Sequence, residues 1–188
     1  MEHQLSAIFV TYEMVESALQ NIERLLVSMP TANIILVDNS PQEYKDKDIY
    51  KNTIERITSK VTYLENCTNS RFTAYNLALK TVTNGRVVFR TDDDVFNESV
   101  TAKVAKASWR GFAVTPHKFD GQLQVKQDHQ RPIETCVFDH HFLKGLLPFE
   151  NATSADWKLL KRAYDKQCPE TFAEVILHKI GHGREMTA

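Results

Sequence analysis

The strongest constraint on the fold of this chain is a set of four short apolar runs that alternate with longer amphipathic or polar segments. The runs are continuously apolar, which is typical of strands buried on both faces of a parallel sheet. They comprise residues 6–11, 33–37, 61–64 and 87–90. Because parallel neighbours need a crossover connection, the helical segments between the runs predict βαβ units. The sequence therefore predicts an α/β fold, with a mostly parallel central sheet and helices on both faces.

Helical periodicity fills the segments between these runs. Apolar residues recur at helical spacing over residues 15–29, and Pro30 ends that helix. Residues 43–57 are polar and predict a surface helix with loops, whereas residues 70–82 predict a second amphipathic helix. Each predicted strand is thus followed by a segment long enough to return the chain to the same edge of the sheet.

The pattern becomes looser after Asn97, which we take as the boundary between two halves of a single domain, residues 1–97 and 98–188. The second half predicts helices over residues 100–108 and 154–167, strands over residues 111–115, 122–126, 135–138 and 171–178, and a short helix or loop over residues 140–147.

The helix predicted over residues 154–167 has the clearest pattern of the second half. Ser154 is expected to cap its first turn, because serine side chains accept hydrogen bonds from exposed helical N–H groups. Trp157, Leu160 and Tyr164 follow at steps of three and four residues, which predicts that they share one face.

The overall composition is that of a soluble globular protein. The 188 residues include 23 basic and 24 acidic side chains, so the net charge of -1 creates no global field for a nucleic acid or a membrane surface. No stretch approaches the roughly 20 apolar residues of a membrane span. The three cysteines have no metal or redox spacing and the amino terminus has no signal-peptide pattern, so we expect a cytoplasmic protein.

One segment is locally basic. Residues 103–131 contain six Lys or Arg side chains against two Asp side chains. Such a surface favours an anionic acceptor, with nucleic acid among the possibilities, and a solvated face is the alternative.

Three consecutive aspartates, Asp92, Asp93 and Asp94, follow the fourth apolar run. The carboxyl ends of parallel strands form the edge at which open α/β sheets bind ligands. In an extended segment Asp92 and Asp94 point the same way, and two such carboxylates repel each other unless a cation lies between them. The run predicts a divalent-metal site for a phosphorylated ligand, and an acidic turn capping the helix after Asn97 is the alternative.

Four motifs, taken in order, resemble those of glycosyltransferase family 2, whose members have the GT-A fold. They are Val10-Thr11-Tyr12, residues 35–40 (ILVDNS), residues 69–79 (NSRFTAYNLAL) and the aspartate run. The resemblance covers residues 6–97 well and continues in weaker form to His182. It implies a GT-A-like fold and an inverting enzyme that moves a sugar from a nucleoside diphosphate, UDP first among them, to an acceptor hydroxyl.

The resemblance places the nucleoside at the ends of the first two strands. Asp38 would hold the nucleoside, because a carboxylate accepts hydrogen bonds from a base N–H or from hydroxyls. Thr11 and Tyr12 would line the base pocket. From the residues alone, an Asx turn between Asp38 and Ser40 is an equal alternative.

The same resemblance makes the aspartate run a DXD motif. Asp94, with Asp92 beside it, would bind Mn²⁺ or Mg²⁺, and Asp92 and Asp93 would contact the nucleotide sugar. A hard cation there stabilises the charge that develops on the departing diphosphate. A histidine after the last strand is the expected third ligand, and His182 is preferred over His178.

The third motif departs from the family pattern, which commonly has glycine where Arg71 stands and arginine where Tyr75 stands. Arg71 would supply a positive charge to the diphosphate, and a surface position is the alternative. Asn76 matches the asparagine of the family and would bind the nucleotide sugar, unless it bonds to a neighbouring loop.

The catalytic base of the family is an aspartate at the start of a helix in the second half, a place that Asp156 occupies. It would take the proton of the acceptor hydroxyl as that oxygen attacks, which inverts the anomeric carbon. Ala155 replaces the acidic residue that usually precedes the base. Favourable interaction with the helix dipole is the alternative role for Asp156.

Two other functions fit the same sheet. A nucleotidyltransferase usually needs a glycine-rich phosphate loop after the first strand, and residues 11–14 (TYEM) contain no glycine. A nucleotide- or carbohydrate-binding module without turnover is the second alternative, because the departures at Arg71, Tyr75 and Ala155 weaken the catalytic motifs.

Overall fold

The structure, a computed structural model, describes residues 4–179 and contains two β-sheets with seven α-helices in that part of the chain. The strands are β1 (Leu5–Thr11), β2 (Asn33–Asp38), β3 (Thr62–Glu65), β4 (Arg86–Thr91), β5 (Val95–Phe96), β6 (Phe112–Val114), β7 (His117–Phe119), β8 (Gln122–Gln124), β9 (Cys136–Asp139), β10 (Glu170–Thr171) and β11 (Leu177–Lys179). The helices are α1 (Val15–Ser28), α2 (Gln42–Lys45), α3 (Asp48–Thr58), α4 (Arg71–Leu79), α5 (Glu98–Lys106), α6 (His140–Lys144) and α7 (Ala155–Lys166), and a 3-10 turn spans Ile133–Thr135.

The large sheet is mostly parallel, as the sequence predicts. Its seven strands lie in the order β10-β6-β9-β4-β1-β2-β3. Strand β9 runs antiparallel to both of its neighbours, and all the other pairings in this sheet are parallel. The order β4-β1-β2-β3 shows that the first three crossovers are those predicted from the four apolar runs. A smaller sheet has the order β5-β11-β7-β8.

Helices cover both faces of the large sheet. On one face, α4 and α7 contribute Tyr75 and Leu159 to a buried cluster that also contains Phe89 of β4. On the other face, α1 and α5 contribute Ile22 and Val104 to a second buried cluster. Fully burying one such side chain stabilises the fold by about 1.5–3 kcal/mol. Burial on both faces explains why the strands are continuously apolar.

Residues 171–178 do not form the single strand that the sequence predicts. Strand β10 extends the large sheet beside β6, and β11 lies in the small sheet between β5 and β7. The segment between them crosses from one sheet to the other, and the amide N–H of Phe172 donates to the carbonyl of Val114. Local apolar pattern does not distinguish one long strand from two short strands that belong to different sheets.

The start of α7 also differs from the prediction. Ser154 has φ 58 and ψ 30, a left-handed conformation, and its side chain makes no capping hydrogen bond. Trp157 does not share the buried face with Leu160, because 41% of Trp157 is exposed to solvent. Leu159 is fully buried in its place. The three-residue step from Trp157 to Leu160 is compatible with a helical face, but the neighbouring elements cover only Leu160.

The carboxyl ends of β1, β2 and β4 lie at one edge of the large sheet. Thr11 at the end of β1 is in register with Asp38 of β2, and Val10 is in register with Thr91 of β4. The aspartate run continues directly from Thr91, so the fold brings it beside Thr11. Over residues 4–179, none of the helices is long and apolar enough to cross a membrane.

Candidate active site

Asp92 is fixed to the end of β1. Its Oδ2 accepts hydrogen bonds from Thr11 Oγ1 and from the backbone N–H of Tyr12, each at 2.8 Å. Burial raises the pKa of Asp92 to about 6, although both hydrogen bonds act in the opposite direction, and the nearby charge of Asp93 raises it further. Thr11, Tyr12 and Asp92 are therefore brought together as the resemblance implies, with Asp93 half-buried beside them.

Asp94 is more buried than Asp92, and one of its carboxylate oxygens has no hydrogen-bond partner among the described residues. Its Oδ2 accepts hydrogen bonds from Thr91 Oγ1 at 3.0 Å and from Lys179 Nζ at 3.1 Å. Its Oδ1 is buried and has no hydrogen-bond partner within residues 4–179. The Asn21 side chain donates to the carbonyl of Asp94 at 3.0 Å, which fixes the backbone of the run. Burial raises the pKa of Asp94, and the charge of Lys179 partly offsets that effect.

The aspartate run is a bend and does not cap α5. Residues 92–94 lie in bends between β4 and β5, so the extended geometry assumed from the sequence does not apply. The cap of α5 is Asn97, whose side chain accepts from the N–H of Val100. The turn-and-cap alternative therefore does not describe Asp92 or Asp94.

The oxygen atoms around Asp94 meet some of the requirements of a divalent-cation site. An unpartnered buried oxygen of Asp94, near a second carboxylate, suits a hard cation that prefers oxygen ligands. Within residues 4–179, however, no group of three or more His, Cys, Asp or Glu side chains is placed to hold a metal. His182, the predicted third ligand, lies outside the described residues. His178 lines a different cavity, of about 770 Å³, together with Val95.

Asp38 is fully buried, and its carboxylate is engaged within the protein. Its Oδ1 accepts from the backbone N–H of Ser40 at 2.7 Å, which is the Asx turn considered from the sequence. Its Oδ2 accepts from the hydroxyls of Tyr50 at 2.6 Å and Tyr63 at 3.0 Å. The two tyrosines were not singled out in the sequence. Asp38 thus accepts three hydrogen bonds within the protein, and its role towards a nucleoside stays a prediction.

The side chain of Asn76 is also engaged within the protein, by two hydrogen bonds to the backbone of Phe149. Its side-chain amide donates to the carbonyl of Phe149 at 2.8 Å, and its oxygen accepts from the N–H of Phe149 at 2.9 Å. The arrangement ties α4 to the loop before α7, so the neighbouring-loop alternative describes the contacts of Asn76.

The side chains of Arg71 and Asp156 are in contact, although the two residues are far apart in sequence. Arg71 is the first residue of α4, Asp156 is in the first turn of α7, and Nη2 of Arg71 lies 3.0 Å from Oδ2 of Asp156. Arg71 Nη1 also lies 3.5 Å from Oε1 of Glu134, which in turn accepts from the Tyr75 hydroxyl at 3.2 Å. Arg71 is thus held between two acids and is only partly exposed, and its role towards the diphosphate stays a prediction.

Glu134 is a site residue that the sequence analysis missed. It is fully buried in the 3-10 turn before β9, and its Oε2 has no hydrogen-bond partner within the described residues. Arg71 and Lys179 lower the pKa of Glu134 by enough to overcome the effect of burial, which acts in the opposite direction. The available signal was a single carboxylate beside the apolar Ile133, and such a signal is too weak to separate a site from a loop.

Burial raises the pKa of Asp156, which is the candidate base. The nearby charge of Arg71 lowers that pKa, and Glu134 raises it again. The backbone N–H of Trp157 donates to Oδ1 of Asp156 at 3.0 Å. Both oxygens of the Asp156 carboxylate are therefore hydrogen-bonded, and burial keeps this candidate base from being fully solvated.

Arg71, Glu134 and Asp156 line one cleft of about 320 Å³. Its lining residues are Arg71, His117, Lys126, Gln130, Arg131, Pro132, Glu134, Asp156, Trp157 and Lys179. Lys179 also contacts Asp94, so it links the cleft to the aspartate run. The larger cavity of about 770 Å³ shares only Lys179 with this cleft among the described residues. We take the smaller cleft as the candidate site because it contains the buried acids.

No family model matches the chain, and no curated protein matches it. Solved structures do. TarS residues 1–349 from S. aureus align with a TM-score of 0.72 and 16% identity, over 94% of this chain and 60% of that chain. The mannosyltransferase PcManGT from Pyrobaculum calidifontis, in complex with GDP-Man and Mn²⁺, aligns with a TM-score of 0.74 and 14% identity, over 99% of this chain and 59% of that chain. This chain spans about 60% of the length of both.

A nucleotidyltransferase is similar at lower scores. A cytidylyltransferase from Leptospira borgpetersenii aligns with a TM-score of 0.58 and 13% identity, over 92% of this chain and 76% of that chain. At such identities a likeness shows the fold alone. The predicted GT-A-like fold is thereby confirmed, whereas membership of glycosyltransferase family 2 rests on the motif resemblance.

Proposed function

We propose that this protein is an inverting glycosyltransferase that moves a sugar from a nucleoside diphosphate sugar, with UDP as the first candidate, to an acceptor hydroxyl. The observation that carries the proposal is the pairing of Arg71 with Asp156 in a cleft that Lys179 connects to Asp94. Lys179 lines the cleft of the candidate base and contacts Asp94 of the candidate phosphate-binding edge, which supports the proposal. The fold that this chain shares with a mannosyltransferase supports the proposal of sugar transfer.

The donor is assigned to residues 1–97. Thr11 and Tyr12 would contact the nucleoside beside Asp92, and Asp93 would face the nucleotide sugar. Asp94, with Asp92 and His182, would hold Mn²⁺ or Mg²⁺, whose charge stabilises the departing diphosphate.

The acceptor is assigned to residues 98–188, where Asp156 would act as the base. The acceptor oxygen forms a bond to the anomeric carbon while Asp156 takes its proton. The bond from that carbon to the diphosphate oxygen breaks, and its electron pair leaves with the diphosphate. Attack from the face opposite the leaving group inverts the carbon. Arg71 orients the carboxylate, and the exposed indole of Trp157 at the cleft offers a stacking surface for a sugar ring.

Binding of the donor can be tested before an acceptor is known. Thermal unfolding is measured with UDP, GDP, CDP and dTDP, with and without Mn²⁺, for the wild type, for Asp94→Asn and for the exposed control Asp165→Asn. One diphosphate is expected to raise the melting temperature by roughly 5–10 °C with Mn²⁺ at a large excess over its Kd. Asp94→Asn should lose that rise and Asp165→Asn should keep it. No shift with any diphosphate would contradict the proposal.

Nucleotidyl transfer is the second candidate, because a cytidylyltransferase has a similar fold. The segment from Thr11 to Met14 has no glycine to cradle a triphosphate, which favours sugar transfer. Release of pyrophosphate from a nucleoside triphosphate and a sugar phosphate would identify the nucleotidyltransferase. Diphosphate binding without turnover of any nucleotide sugar would instead identify a binding module.

A further inference from the structure

Arg131 is a buried cation that has no acidic partner among residues 4–179. It is 3% exposed, and its guanidinium donates to two backbone carbonyls, those of Thr115 and Asp128, each at 3.3 Å. Within residues 4–179, no carboxylate lies within ion-pair distance of it. Burying a charge without a counter-charge is costly, so an anion that reached Arg131 from the cleft would stabilise it. Arg131 lines the cleft that contains Asp156.

Two further basic side chains, Lys126 and His117, line this cleft. Lys126 is exposed to solvent and His117 is buried, and both are lining residues together with Arg131. Burial lowers the pKa of His117 to about 4, and the charges of Arg131, Lys179 and Lys126 lower it further. The nearby charge of Glu134 acts in the opposite direction. The neutral imidazole remains able to form a hydrogen bond to a bound anion.

The lining of the cleft therefore contains two chemically different groups of side chains, which we call its acidic wall and its basic wall. Asp156 and Glu134 form an acidic wall with Arg71 between them, and an anion would be repelled there. His117, Lys126 and Arg131 form the basic wall. A ligand that fills both would present a hydroxyl to the acids and an anionic group to the basic side chains. A cleft of about 320 Å³ is at the lower end of the range for small-molecule sites.

We infer that His117, Lys126 and Arg131 form an anion subsite that binds a phosphate group of the acceptor, an inference that rests on the proposed sugar transfer to a hydroxyl at Asp156. The acceptor class is then a phosphorylated hydroxyl compound, either a phosphomonoester or a phosphodiester. The diphosphate of the donor carries the same chemistry. It is assigned to the edge formed by Asp92 and Asp94, which the structure connects to the cleft through Lys179.

The test measures the binding of inorganic phosphate and of UDP separately. The variants are Lys126→Gln, which changes an exposed side chain, and Arg131→Gln, each checked for an unchanged melting temperature. The matched control is Lys118→Gln. Lys118 follows His117 in β7, and adjacent strand residues point to opposite faces, so it does not line the cleft. Binding is followed by isothermal titration or by chemical shifts.

We expect the wild type to bind inorganic phosphate, and both variants to weaken that binding by about tenfold, the size typical for one charge-assisted contact. Lys118→Gln should bind phosphate as the wild type does, and the UDP affinity should stay within about twofold in all variants. An unchanged phosphate Kd in Lys126→Gln would overturn the subsite even if Arg131→Gln failed to fold. An equal loss of UDP affinity would assign the basic wall to the donor.

The two proposals fail in different ways. Failure of the proposed function appears as absence of binding of UDP, GDP, CDP and dTDP, and of sugar transfer, by the wild type. Failure of the subsite appears in the phosphate titration, which requires no donor.

Discussion

Nη2 of Arg71 lies 3.0 Å from Oδ2 of Asp156 and joins the first turn of α4 to the first turn of α7. The two residues are separated by 85 positions in sequence. The same guanidinium lies 3.5 Å from Glu134, so one cation is shared by two buried acids. Because the cation is shared, the charges of both Arg71 and Glu134 determine how readily Asp156 takes up a proton.

Arg71→Gln should move the acidic limb of the pH–activity profile to higher pH. The charge of Arg71 lowers the pKa of Asp156, so its removal raises that pKa and requires a higher pH to ionise the base. We expect kcat/KM to fall by about 10- to 100-fold near neutral pH. An unchanged profile, measured as kcat/KM from pH 5 to 9, would show that Arg71 does not act through Asp156.

Glu134→Gln should shift the same limb in the opposite direction. The negative charge of Glu134 raises the pKa of Asp156, so its neutral isostere lowers the pKa and lets the base ionise at a lower pH. The opposite signs of the two shifts separate an electrostatic effect from general damage to the fold. A shift to higher pH in both variants would contradict this account. Exposed Glu170, changed to Gln, is the control.

His117 should make stability depend on pH. Burial lowers its pKa to about 4 from an ordinary value of 6.5, so between these values the unfolded chain binds a proton that the folded chain does not. The stability contributed by neutral His117 is therefore complete above pH 6.5 and is lost as the pH falls towards 4. The loss is at most about 3 kcal/mol. Urea unfolding at pH 7 and pH 5 should show a smaller drop for His117→Asn than for the wild type.

Asn76→Ala should destabilise the fold by about 2 kcal/mol, because it removes two hydrogen bonds to the backbone of Phe149. The affinity for UDP should change little, since both amide atoms of Asn76 are used in that contact. The free energy of unfolding and the UDP Kd are compared with those of Lys80→Ala, an exposed neighbour at the end of α4. Weaker UDP binding at unchanged stability would make Asn76 a nucleotide ligand.

The first half of the fold could be predicted because its information is local. The four apolar runs become β1 to β4 and pair in parallel as predicted, since a continuously apolar run between helices has few other solutions. The second half was less predictable. Strand β9 lies antiparallel between β4 and β6, and residues 171–178 divide between two sheets, so the partners of these short strands are set by tertiary contacts.

The site was predictable to the same extent. Thr11, Tyr12 and Asp92 meet because β1 and β4 end side by side, and the motif resemblance had implied that these residues share a site. Glu134 and Lys179 could not be assigned, because they reach the cleft from a short turn and from a strand of the small sheet. No spacing in the sequence indicates such a meeting.

The most direct test of the account is the turnover of a nucleotide sugar by Asp156→Asn. The donor whose diphosphate stabilises the wild type is incubated with a phosphorylated hydroxyl acceptor, and the release of nucleoside diphosphate is measured. The control is Asp165→Asn, an exposed position in the same helix. We predict that Asp156→Asn loses about 100-fold or more of the rate while still binding the diphosphate, because a general base contributes about 10²–10⁴-fold. Turnover by Asp156→Asn equal to that of the control would contradict the assignment of Asp156 as the base.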